Sequence, residues 1–193
     1  LNPLLHLGSL GWFLFWIVTV TGIYIYVFFD TGVTQAYASL EYLSREQWYL
    51  GGIMRSLHRY ASDAMVVVVM LHLLREFAMD RMRGNRWFPW VTGVPLLWFL
   101  YACGITGYWL VWDARAQFSA LATLEWMGMA DAGAELVSDR LFSLFVFLHI
   151  GLPLGVLALL WIHTHRVPNA KTLPPRALMA ASTAAMVVLG LVK

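Results

Sequence analysis

The chain has 193 residues, 60% of them hydrophobic and only 12% charged, with a mean hydropathy of +0.66. That balance excludes an ordinary soluble domain and requires several membrane spans, while a formal net charge of +2 is too small to serve nucleic-acid binding. The single cysteine, Cys103, excludes an internal disulfide, a CxxCH haem attachment and a cysteine-ligated iron–sulfur cluster within the chain.

The chain does not open with Met, so the natural N-terminus is expected upstream, and nothing in it resembles a cleavable signal peptide. Residues 1 to 29 hold no charged side chain, which predicts a first span from about Gly8 to Phe29. Gly8 and Gly22 lie fourteen residues apart. On a helix rising about 1.5 Å per residue, that interval covers about 21 Å with a net turn of only about 40°, so the two positions share one face at two levels. Paired glycines usually mark close helix packing; a missing side chain also lets a flat macrocycle lie against a helix. Asp30 to Gly52 is polar, and its AYASLEYLSREQWYL stretch reads as an amphipathic helix lying on the membrane surface.

The second span, about Ser56 to Phe77, carries His58 and His72, again fourteen residues apart. A lone histidine in an apolar helix is more often a packed core residue than a ligand, but ionisable groups inside a membrane are functional candidates. The fourth span, about Arg140 to Ile162, continues into Arg166 and repeats the spacing with His149 and His163. Two such helices face to face would form two stacked bis-histidine sites, and haem iron accepts neutral imidazole axially. The expected cofactors are two non-covalent b-type haems. Arg55 precedes His58 by three residues and Arg75 follows His72 by three. At span ends, arginines snorkel toward headgroups; one turn from a haem ligand, they can also pair with a propionate.

Met79 to Trp90 is a basic loop, and the third span, about Val91 to Trp112, brings the glycine pair again as Gly93 and Gly107. Asp113 to Asp139 reads as a polar loop with five acidic residues against Arg115 alone. Pro153 should kink the fourth span just after His149. His165 competes with His163 as a ligand, but sixteen residues from His149 it falls on nearly the opposite face. Arg166 to Arg176 is a basic, proline-rich connector, and Ala177 to Val192 is a fifth apolar segment, either lipid-facing or the first helix of a further region. The fold expected is an all-α membrane protein. A four-helix transmembrane bundle occupies residues 1–168, with haems packed between the helices, and a connector and fifth helix occupy residues 169–193.

The loops after the second and fourth spans hold seven of the thirteen basic residues, which places them on the cytoplasmic side. His58 and His149 would then serve the outer haem, and His72 and His163 the haem nearer the cytoplasm. Two haems about 21 Å apart form an electron wire rather than a centre for substrate chemistry.

With MRSLHRYAS and LHLLREF around the first histidine pair, WVTGV and TGYWLVWD in the third span, FVFLHIGLP in the fourth and AYASLEYL in the surface helix, residues 1 to about 168 resemble the N-terminal, haem-bearing half of the cytochrome b/b6 family. The resemblance implies a low-potential haem on His58 and His149 and a high-potential haem on His72 and His163. It further implies cradle roles for Gly8, Gly22, Gly93 and Gly107 and propionate contacts for Arg55 and Arg75. It implies a quinone-linked complex with Rieske, cytochrome c-type or dehydrogenase partners, a homodimer, and residence in a bacterial inner membrane.

The chain departs from the family's pattern at the quinol sites. Val111 stands where the family has the proline of a PW segment, no PEWY motif is present, and His6 falls where the b6 branch has a haem-tethering cysteine. The candidate quinone site is therefore the cytoplasmic one, around His6, His165 and Arg166. The competing expectation is a non-redox membrane anchor that retains the fold.

Overall fold

The computed structural model describes residues 2–129 and 138–192; Asp131 and Glu135 of the acidic loop lie outside them. The described chain is helical. After a 3-10 turn at Pro3–Leu5 come α1 (Leu7–Phe28), α2 (Ala36–Arg45), a π-helical turn at Trp48–Gly52, α3 (Ile53–Ala78), α4 (Trp87–Leu110), α5 (Ala114–Leu124), α6 (Asp139–His165) and α7 (Arg176–Leu191). α1, α6, and α4 with its preceding turn are long and apolar enough to cross a membrane. α3 has the length, with 26 residues, but carries Arg55, Arg59, Asp63, Arg75 and Glu76. Its apolar run lies between Asp63 and Arg75.

α1, α3, α4 and α6 form a four-helix bundle built as two antiparallel pairs. α1 packs along α3, and α4 along α6; α3 also touches α4, whereas close backbone approaches between α3 and α6 are at most few among the described residues. Each pair thus joins one glycine helix to one histidine helix. The buried core joins Leu14 and Phe15 of α1, Ala61 and Met65 of α3, Leu96 and Leu100 of α4 and Val156 of α6. Phe15, Met65, Leu100 and Val156 each stand seven residues beyond the first glycine or histidine of their helix, so this layer lies midway between the two histidine levels. Met186 of α7 joins the layer, and α7 packs on α3 so closely that a Cβ at Gly190 would stand 2.8 Å from Ser56 Cβ.

The Asp113–Asp139 segment differs from the polar loop expected of it. Its first half is helix α5, started by Asp113, whose carboxylate accepts a hydrogen bond from the Ala116 N–H at 2.8 Å. Ala116, Ala120 and Leu124 of α5 are buried, and an alanine-rich surface lets the helix lie close to its neighbours. Ala120 and Leu124 close one end of the bundle together with Ala36 of α2, Trp112 and Phe142. Within that lid Phe142 is fully buried, with Trp112 edge-on to its ring at 5.3 Å and Phe29 at 6.2 Å. The acidic residues on either side of α5 suggest a solvated segment, but the apolar burial of one of its faces makes it a helix. α6 continues as one helix through Pro153.

Replacing Phe142 with Ala should cost about 3–5 kcal/mol, because the lid cannot collapse around the cavity left behind. Phe147, which is 70% exposed five residues further along α6, provides the control. Thermal unfolding in detergent should show a large drop for Phe142→Ala and little for Phe147→Ala; equal losses would contradict the lid packing.

Candidate functional site

The four glycines of the fourteen-residue pattern each receive one of the four histidines. A Cβ built on Gly22 would lie 3.0 Å from His58 Cε1, and one on Gly107 would lie 2.5 Å from His149 Cε1. At the other level the distances are 3.3 Å from Gly93 to His163 and 3.5 Å from Gly8 to His72. The group found over each glycine is thus the imidazole ring of the paired helix. At Gly107, and less tightly at Gly22 and Gly93, a side chain would press on the ring, whereas at Gly8 a Cβ would make an ordinary contact.

The rings are also fastened. His58 Nδ1 lies 3.0 Å from the Val18 carbonyl oxygen, and His149 Nδ1 lies 3.0 Å from that of Cys103. A carbonyl can only accept, so Nδ1 carries the proton in both rings and Nε2 keeps its lone pair. In each case the carbonyl belongs to the residue four before the glycine. The residue directly before the glycine contributes too. Thr21 Oγ1 is 3.2 Å from His58 Nδ1, Thr106 Oγ1 is 3.4 Å from His149 Nδ1, and Thr92 Oγ1 is 3.0 Å from His163 Nδ1. These hydroxyls donate to carbonyls of their own helix, those of Ile17, Ala102 and Phe88 respectively, so their oxygens face the imidazoles as acceptors. His72 is the exception. Its Nδ1 is buried and has no hydrogen-bond partner among the described residues.

His58 and His149 face one another across the bundle with ring centres 6.2 Å apart and planes at 69°. Two imidazoles bound through one nitrogen each to a single ion, at about 2 Å, place their centres about 6 Å apart. With Nδ1 turned back to the helix and Nε2 left as the donor, this level fits a bis-imidazole iron site. At the other level His163 and His72 lie within electrostatic range of each other.

The remaining candidate residues occupy the two ends of the bundle. Arg55 donates to the Leu40 carbonyl at 3.2 Å and to Ser44 Oγ, with Glu41 at 3.8 Å, so it ties α3 to the surface helix α2. Arg75 pairs with Glu76 at 2.7 Å, and the same carboxylate takes Arg81 at 3.2 Å and Arg86 at 3.7 Å. His165 stacks on Trp161 at 5.3 Å, and Arg166 lies over Phe88 at 5.5 Å. His6 stands at the N-cap position of α1, where its side chain makes no capping hydrogen bond. No hydrogen bond or ring stacking joins His6 to His165 or Arg166 among the described residues. Residue type alone marks neither the three threonines nor Glu76 as functional, although Thr-Gly dipeptides stand at 21–22, 92–93 and 106–107.

Gly107→Ala should cost about 1–3 kcal/mol by forcing the His149 ring off its seat. Gly104→Ala, on the same helix with open space at the position of a Cβ, should be neutral or stabilising by up to about 1 kcal/mol through helix propensity. Unfolding of the two variants side by side checks this; an equal response at both positions would contradict the seating.

A family model described as Cytochrome b/b6/petB matches residues 1–169. The chain is 31% identical over 166 residues to the cytochrome bc complex cytochrome b subunit of Chlorobaculum thiosulfatiphilum, a match covering 79% of this chain and 39% of that protein. It is 36% identical over 107 residues to cytochrome b6 of Prochlorococcus marinus (strain AS9601), covering 55% of this chain and 49% of the relative. The chain therefore spans about half or less of the length of the relatives it matches. In fold it is similar to a solved chain of a hyperthermophilic respiratory complex III, with a TM-score of 0.77 at 19% identity over 99% of this chain and 58% of that one. By the family match over residues 1–169, and by helices suited to crossing a membrane, the chain is an integral membrane protein of the cytochrome b/b6 family.

Proposed function

We propose that the chain binds two b-type haems, one between His58 and His149 and one between His72 and His163, and carries electrons across the bilayer between a quinone pool and a partner redox protein. The observation that carries this reading is the facing pair His58 and His149, 6.2 Å apart and each locked by a carbonyl into the tautomer with a free Nε2. Bound haem would supply one-electron iron chemistry. The chain's part is to hold the imidazoles in fixed orientation, to exclude water with the apolar layer between the levels, and to leave cations at the arginine end. Arg75 there is shared with Glu76 and stands one turn beyond His72, where it can also meet a propionate.

The positive-inside rule puts the arginine loop and the Arg166–Arg176 connector on the cytoplasmic side of a bacterial inner membrane. A quinone would then bind near the His72/His163 level, where His6, His165 and Arg166 offer polar groups for its oxygens. A relative named as the cytochrome b subunit of a bc complex supports partner redox subunits; we take these to be of the Rieske, cytochrome c-type or dehydrogenase kind, and the assembly to be a homodimer. The competing reading, a membrane anchor without redox function, requires histidines that bind no iron.

Purified wild-type chain should yield two haems by pyridine haemochrome assay, and His72→Ala should yield one. A chain without a b-type spectrum would favour the anchor, and two haems in the variant would overturn the ligand assignment. Acid–acetone should extract all the haem, since His6 replaces the tethering cysteine and Cys103 is the single thiol of the chain; a haem-staining band on a denaturing gel would contradict this. Haem reduction by a quinol analogue should respond to inhibitors of the cytoplasmic face. A response to outer-face inhibitors alone would place the quinone at the opposite end.

A further inference from the structure

The four imidazoles are not held alike. Three have a threonine oxygen within 3.4 Å of Nδ1, supplied by the residue immediately before the glycine they lie on. The fourth glycine, Gly8, follows Leu7, whose side chain offers no acceptor. The carbonyl four residues before Gly8 belongs to Leu4, which sits in the 3-10 turn ahead of α1 and not in the helix. Both acceptors used at the other positions are thereby lost together, and His72 Nδ1 is buried without a partner among the described residues. The seat is looser as well. The His72 ring stands 3.5 Å from the Cβ position of Gly8, an ordinary contact, where the other three stand at 2.5 to 3.3 Å.

A hydrogen bond from Nδ1–H to an oxygen makes the imidazole a stronger electron donor through Nε2, and so favours ferric over ferrous iron. Removing that bond does the opposite. We propose that position 7 is a tuning position: by withholding an acceptor from His72, Leu7 leaves the haem at the arginine end easier to reduce than a fully fastened site would be. The inference rests on the di-haem reading above. It assigns a redox role to a residue that is not itself an iron ligand. Leu7 acts through His72 and is a positioning residue, and the threonines Thr21, Thr92 and Thr106 are its counterparts.

The test is a redox titration of the haem-loaded protein, with the two haems assigned by His72→Ala. Leu7→Thr should lower the potential of the His72/His163 haem, changing its reduced-to-oxidised ratio at fixed ambient potential about threefold, or about 30 mV for one electron. The other haem should stay put. Leu7→Val, which matches threonine in shape without the hydroxyl, should leave both unchanged. Thr92→Val should raise the His72/His163 haem and Thr21→Val the His58/His149 haem, which keeps the proposal testable if Leu7→Thr fails to load. Equal behaviour of Leu7→Thr and Leu7→Val, threonine variants that leave their own haem unmoved, or both haems shifting together would overturn it. A wild-type chain with no b-type haem would overturn the underlying reading instead, and the two failures are distinguished before any variant is made.

Discussion

An imidazole laid on a glycine of the neighbouring helix is the contact on which the rest of this structure depends. It occurs four times, at two levels, and each instance joins a histidine helix to the glycine helix that precedes it in the chain. Lipid supplies little drive for apolar helices to associate, so close packing at small residues has to hold the bundle together. Here the small residues serve a second purpose, since the space they leave is taken by the imidazole rings. Two close-packed pairs follow, α1 with α3 and α4 with α6, rather than four equivalent neighbours. The layer of Phe15, Met65, Leu100 and Val156 fills the interval between the levels.

The two ends of the bundle solve different problems. At the His58/His149 end the surface helices α2 and α5 supply small buried residues, and Phe142 and Trp112 seal the gap with aromatic surface. Arg55 is drawn into this end by α2, with Leu40, Ser44 and Glu41 as its partners. At the other end three arginines gather on the single carboxylate of Glu76. Three cations on one anion leave an excess of positive charge beside the His72/His163 level, suited to an acidic group from outside the protein. The less firmly held histidine lies at this same end.

Much of the architecture was legible in the sequence because its signals are local and periodic. Apolar runs of about twenty residues can only be spans, and the observed helices begin and end within a few residues of those expected. A repeat of fourteen residues returns to nearly the same helix face, so the glycines and histidines had to form two levels before any contact was known. What the period could not reveal was which group each glycine faces. The neighbouring helix decides that, and it proved to be the imidazole itself. α5 has no local signal in the sequence for a related reason. Its charges and its neighbours along the chain suggest a solvated loop, and only the burial of Ala116, Ala120 and Leu124 against the bundle makes it a helix.

From sequence alone came the four histidines, the four glycines, their pairing in levels and the family resemblance, because each follows from residue type and spacing along a single helix. Tertiary structure decided how the histidines are held. The Val18 and Cys103 carbonyls are backbone groups with no signature in residue identity, and they become acceptors only when α3 and α6 pack at the right height. Thr21, Thr92 and Thr106 were visible as letters beside their glycines, yet a threonine there has no meaning until an imidazole lies over the next residue. The same holds for Leu7. Its apolar side chain is ordinary in an apolar span, and the proposed role arises only because the fold lays the His72 ring over the next residue, Gly8, with Nδ1 buried and unpartnered among the described residues.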